Sequence, residues 1–234
     1  MQKTRKNEEN RVFIKAGIIF ALVSIAAFSP VVFLDQTYYH NTPIPPQFLG
    51  YENKTTVFGV TADYSDIGVW PNVKLATELI FNGIAPLWNP HAGVGAPLAA
   101  ESTFHIFSPY NLGFFLPPSL WDIPILIGIW VGGFFMFLFL RTLNLKFVSA
   151  VTGGIFFMLS GGMVWFLTNP NFLVVMITPL VFYSLEKIIQ KRDPRFIALL
   201  SISFLLTVLS GHLETIVIQF LFVGIYFFYR IIIK

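Results

Sequence analysis

Six runs without a single charged side chain dominate the chain, at 16–34, 123–140, 147–168, 172–185, 196–211 and 215–229. The fourth is extended by Ile188 and Ile189. About 20 apolar residues cross a hydrocarbon core, so several runs need their flanks to span. A bilayer offers the backbone no hydrogen-bond partner, so such segments must satisfy their own N–H and C=O groups as helices. Only 12% of the 234 residues are charged, against about 25% in soluble domains. The expected fold class is therefore an all-α integral membrane protein with six transmembrane helices, and the lipid bilayer is its first partner. The first run reads as a span rather than a signal peptide. It is long, and the bulky Phe28-Ser-Pro-Val-Val-Phe-Leu34 that closes it offers no small-residue cleavage site.

The basic residues orient these spans. With the N-terminus in the cytoplasm, 13 of the 15 Lys and Arg fall on the cytoplasmic side and only Lys54 and Lys74 outside. That asymmetry is the positive-inside pattern. The expected localisation is the cell membrane, multi-pass, with both termini cytoplasmic. The expected organisation is a tail at 1–15, a first span at 16–34, an extracytoplasmic loop at 35–121 and a five-helix membrane region at 122–234. The outer side collects most of the carboxylates and all four His, namely His40, His91, His105 and His212. There is no Cys, which excludes disulfides, thiolate metal sites and a Cys nucleophile. No nucleic-acid partner is expected.

The first outer loop is large and only partly helical. Pro43, Pro45 and Pro46 forbid a regular helix early in it. Residues 69–82 read as an amphipathic helix with Val69, Val73, Ala76 and Ile80 on one stripe. Pro71 suits its first turn and Gly83 its C′ position. Such a helix would lie along the membrane surface, with Trp70, Trp88 and Trp121 in the interfacial zone. Asp63 and Asp66 precede it. A carboxylate there serves as a general base or holds a divalent cation, while Asp66 also suits a helix cap. Further on, Glu101 and His105 stand four apart, on one face if that stretch is helical; a plain polar pair and a metal site both fit. Asn53-Lys-Thr55 matches a glycosylation acceptor, a short match that arises often by chance.

In the membrane region, Ser210-Gly-His-Leu-Glu214 forms a polar hairpin tip. The 16 uncharged residues before His212 make about 24 Å of helix against a core of about 30 Å. His212 and Glu214 would then be recessed, where ionisable groups are functional candidates; an ordinary hairpin tip is the alternative. Gly153-Gly154 and Gly161-Gly162 point to close helix packing. The chain ends directly after a span, at Ile231-Ile-Ile-Lys234. It is therefore expected to be an N-terminal portion of a longer multi-span protein or the product of a truncated gene.

Asp66, Pro71, Asn82-Gly-Ile-Ala-Pro-Leu-Trp-Asn-Pro90, Gly95-Ala-Pro-Leu98, Phe107-Ser-Pro-Tyr-Asn111 and Ser210-Gly-His212, in that order, resemble the YfhO-like bacterial membrane proteins. The Pro-Leu-Trp-Asn-Pro block is the most specific part of the match. That family is similar to the GT-C superfamily of glycosyltransferases, which take sugar from a polyprenyl-phosphate carrier at the outer membrane face. The resemblance implies Asp66 as the essential acid with Asp63 second. It leaves Trp88, Asn89, Glu101, His105, His212 and Glu214 as the substrate-binding candidates. It implies a polyprenyl-phosphate-linked sugar donor and an envelope polymer or glycolipid acceptor, with no cofactor assigned beyond a divalent cation. Two departures stand out. Family members usually run several hundred residues longer, and the outer side here has no Arg, which GT-C relatives often use on the lipid phosphate; that cation is expected either in a part beyond this sequence or in Lys54, Lys74 or His212. The rival class is non-enzymatic: a transporter, flippase subunit or envelope-assembly scaffold.

The charge asymmetry makes a direct prediction. A cysteine introduced at Asn53 reacts with an impermeant thiol reagent on intact cells, and one at Asn144 does not. Labelling at Asn144 would overturn the orientation.

Overall fold

The computed structural model describes residues 2–34, 36–37, 55–56, 69–101, 104–109, 111, 115–117, 120–167, 169 and 171–233. Asp63 and Asp66 lie outside the described residues. The described chain is overwhelmingly helical. In order come α1 (Gln2–Ala27), α2 (Ser29–Phe33), β1 (Gln36–Thr37), β2 (Thr55–Thr56), α3 (Trp70–Phe81), β3 (Trp88–Asn89) and β4 (Ala96–Pro97). Then follow α4 (Ile123–Thr142), α5 (Phe147–Met158), α6 (Gly161–Trp165), α7 (Asn171–Lys191), α8 (Pro194–Leu209) and α9 (Leu213–Ile232). β1 pairs with β2 in parallel and β3 with β4 antiparallel, Trp88 opposite Pro97.

Among the described residues, five segments are long and apolar enough to cross a membrane: Asn10–Ala27, Ile123–Thr142, Phe147–Trp165, Asn171–Lys191 and Leu213–Ile232. The sixth apolar helix, α8, has 16 residues, about 24 Å at 1.5 Å per residue. Two spans are less regular than their sequences suggest. The first turns at Phe28 before the short α2. The third breaks at Leu159–Ser160, where Ser160 caps α6 by accepting from the Met163 N–H.

Side-chain contacts fix the helix directions. Trp130 Nε1 donates to the Gly17 carbonyl at 2.8 Å, and Phe13 packs edge-on against Phe137, so α1 runs antiparallel to α4. Gly133 faces Met158 while Gly153 faces Leu140, so α5 returns along α4. Gly128 meets Phe172, Phe139 meets Phe182, and Gln190 Nε2 reaches the Thr142 carbonyl at 3.1 Å. α7 is therefore parallel to α4. Fifty-six percent of α7 is buried, against 17–33% of the other four long spans, which makes it the central helix. Tyr183 touches Phe196 on α8, and Thr178 and Glu186 of α7 bond Gln219 and Tyr226 of α9.

These directions bring the C-termini of α4, α7 and α9 together with the starts of α1, α5 and α8. That end carries Arg141, Lys146, Lys187, Lys191, Arg192, Arg195 and Arg230. The opposite end holds Phe28, Trp121, Asn171 and the 210–212 turn, and the segment 69–121 leads into it.

Small residues allow close approach in one place and not another. A Cβ on Gly154 would lie 2.5 Å from the Phe20 ring and 2.8 Å from the Gly133 carbonyl, which is the close packing expected of Gly153 and Gly154. Gly161 and Gly162 differ from expectation. Nothing lies within 4 Å of a Cβ on either, because they open α6 at a break in the span rather than sit in an interface. Trp121 also departs from the interfacial role. It is buried in the core, and its indole N–H donates to the Leu116 carbonyl at 2.8 Å.

Candidate functional site

At the end of the bundle away from the basic residues, three polar side chains form a relay. Gly211 turns the chain with φ +76°, a conformation glycine adopts without a Cβ clash. His212 then occupies the N-cap position of α9 without a side-chain cap bond. Its Nδ1 lies 3.0 Å from Thr215 Oγ1, and Thr215 Oγ1 in turn donates to Asn171 Oδ1 at the start of α7. A hydroxyl has one proton. With that proton on Asn171, Thr215 accepts from His212 Nδ1–H, and the imidazole lone pair is left on Nε2. His212 is half-buried and Glu214 beside it is exposed. The hairpin therefore presents an oriented imidazole. Sequence analysis singled out His212 and missed Asn171 and Thr215.

Asn89 is buried and committed to the loop: its Nδ2 donates to Asn72 Oδ1 at 2.7 Å and its Oδ1 accepts from the His91 N–H at 2.8 Å. Trp88, one residue earlier, is 53% exposed. Glu101 is exposed and His105 buried, and neither residue is in an α-helix. His105 has φ +36°, outside the helical region, so the shared helix face does not form. Among the described residues no group of three or more His, Asp or Glu side chains is placed to hold a metal. The N-cap of α3 is Val69, and the capping alternative for Asp66 falls outside the described residues. The α3 stripe is used up by protein packing: Val69, Val73 and Ala76 are buried while Ile80 is exposed. It is not a face laid on lipid.

A second polar feature runs down the α7–α9 interface. Gln219 Nε2 donates to Thr178 Oγ1 at 2.8 Å, and Thr178 Oγ1 donates to the Val174 carbonyl at 2.7 Å. This lies beside Pro179, inside α7, where the missing N–H leaves a carbonyl of the preceding turn without its helical donor. Lower down, Glu186 accepts from Tyr226, Arg230 and Gln190. The sequence does carry a signal for it. Thr215, Gln219, Tyr226 and Arg230 recur at spacings of four, seven and four, which is one helical stripe.

No protein-family model, curated protein or solved structure matches the chain.

His105 yields a prediction of its own. Asn111 Nδ2 lies 3.0 Å from His105 Nδ1 and donates to the His105 carbonyl at 2.7 Å. Burial pushes the imidazole down to about 4, because desolvation disfavours the charged ring. Between about pH 6.5 and 4 the unfolded loop takes up a proton that the folded loop refuses. Stability present above pH 6.5 is lost as pH falls toward 4, in total about 3 kcal/mol. Protease protection of the 82–121 segment should fall over that window, and His105→Asn, which tolerates the backbone angle, should flatten the profile. Wild-type protection that stays constant from pH 7 to 4 would refute this.

Proposed function

We propose that the chain acts in a GT-C-like membrane glycosyltransferase, with six spans and both its ends on the cytoplasmic side. It moves a sugar from a polyprenyl-phosphate-linked donor to a cell-envelope acceptor at the outer face. The observation that carries the reading is the oriented His212–Thr215–Asn171 relay, at the end of the bundle toward which the loop bearing Asp63 and Asp66 leads. The resemblance of the Pro-Leu-Trp-Asn-Pro block supplies the reaction class.

In this reading the acceptor hydroxyl gives its proton to Asp66 as its oxygen attacks the anomeric carbon. The bond from that carbon to the phosphate oxygen breaks, and its electron pair leaves with the polyprenyl phosphate. The Nε2 lone pair of His212 takes up a proton from water and the resulting N–H donates to the departing phosphate, while Thr215 goes on accepting from Nδ1–H. Attack by one activated hydroxyl inverts the anomeric centre. Asp63 is the second candidate for the base. Trp88, Glu101 and Glu214 are exposed enough to meet substrate, whereas Asn89 and His105 serve the loop's own hydrogen bonds.

One observation favours the transporter reading. Pro179, Thr178 and Gln219 place polar groups in mid-span, and interrupted helices mark transporter binding sites. These groups are uncharged, however, and Gln219 and Thr178 bond one another. Such pairs join helices in lipid.

Asp66→Asn separates chemistry from structure, since Asn caps a helix about as well as Asp. Transfer from a polyprenyl-phosphate sugar in membranes carrying the variant should fall by a factor on the order of 10² or more. Expression and melting temperature should stay at wild-type levels. Normal transfer by Asp66→Asn would sink the assignment. Protein-dependent movement of the lipid-linked sugar across vesicles with no transfer would favour the flippase reading.

A further inference from the structure

The stretch 82–100 that follows α3 has its polarity turned inside out. From Asn82 to Ala100 there is no Asp, Glu, Lys or Arg. Its large apolar side chains face outward: Ile84, Leu87 and Trp88 are exposed, and Val94 at the hairpin tip is completely so. Phe81, at the end of α3, is 70% exposed. Inside lie Asn89, buried on Asn72, and Leu98. A water-facing loop would put Asn89 outside and Trp88 inside.

The backbone is largely closed on itself. Ile84 N–H donates to the Leu79 carbonyl at 2.9 Å, Leu87 N–H to Ala85 at 2.8 Å, Gly95 N–H to Ala92 at 2.9 Å and Leu98 N–H to Leu87 at 2.9 Å. The His91 N–H is taken by Asn89 Oδ1, and β3 pairs with β4. Lipid demands this internal satisfaction and water does not. The tip is also built to hold its aromatic ring. A Cβ on Gly95 would lie 2.6 Å from the Trp88 indole, so the ring rests against a backbone that only glycine leaves open. Twenty-nine residues after Val94 the chain enters the membrane-spanning α4.

We infer that residues 81–94 are a membrane wedge that seats Ile84, Leu87, Trp88 and Val94 in the bilayer leaflet beside the start of α4. The occupant of this apolar face is lipid. An uncharged, internally bonded hairpin joined to a span has its apolar tip within reach of the leaflet, and the indole suits the zone between headgroups and acyl chains. The inference stands on the membrane fold alone and is independent of the glycosyltransferase reading.

The absence of native cysteine allows a clean test. Val94→Cys and Leu87→Cys carry an NBD fluorophore in phosphatidylcholine liposomes, with Glu78→Cys, on the exposed polar side of α3, as the reference. At 94 and 87 the emission should shift to the blue. Lipids bearing a shallow doxyl group should quench those probes several-fold more strongly than the probe at 78. A water-like spectrum at both positions would overturn the wedge. So would a blue shift without doxyl quenching that fades as the protein is diluted, because a second copy would then cover the face.

Discussion

Glu186 is a carboxylate with no solvent exposure inside a membrane-spanning helix. Removing a charge from water is so costly that it must be matched on the spot. Arg230 Nε donates to Oε2 at 2.9 Å and Arg230 Nη2 bonds Oε1; Tyr226 Oη donates to Oε2 at 2.8 Å and Gln190 Nε2 to Oε1 at 2.7 Å. Gln190 also reaches the Thr142 carbonyl at 3.1 Å. One buried charge thus joins α7, α9 and the end of α4. Lipid gives helices no hydrophobic reason to prefer one another, so packing and polar bonds of this kind select their neighbours and their register.

Once that register is set, the rest of the α7–α9 interface follows. Thr178 meets Gln219 beside Pro179, and Asn171 meets Thr215 at the far end. The orientation of His212 is the last consequence of a pairing anchored at the opposite end of the bundle. α7 can play this part because it is central, with α4 on one side and α8 and α9 on the other. Glycines at 128, 132, 133 and 154 let the neighbouring rings and thioethers approach closely enough to fill the core.

Membrane character and the helical runs were legible in the sequence because a long uncharged apolar segment has few other stable states. Helix 70–81 was legible from Pro71 and Gly83, which carry fixed backbone preferences. Less legible was everything that depends on which residue meets which across helices. Glu186 sits in a run that reads as an ordinary charged flank; only Arg230, 44 residues later, gives it meaning. Thr215 and Asn171 carry no motif. The stripe of α3 is legible as apolar, but periodicity identifies a buried face without naming what buries it, and here Val69, Val73 and Ala76 are covered by protein. Gly161 and Gly162 show the same limit for small residues: a packing signal and a helix start look alike in sequence.

The claim on which this account turns is that the Glu186–Arg230 pair holds α9 against α7. Thermal unfolding in detergent of Arg230→Met, Glu186→Leu and the double variant tests it directly. Arg230→Met leaves the carboxylate buried with its charge uncompensated, and should cost about 3–5 kcal/mol. The double variant removes both charges and should recover most of that loss, as replacing a buried pair by apolar side chains does elsewhere. An Arg230→Met protein that melts like wild type would contradict the account.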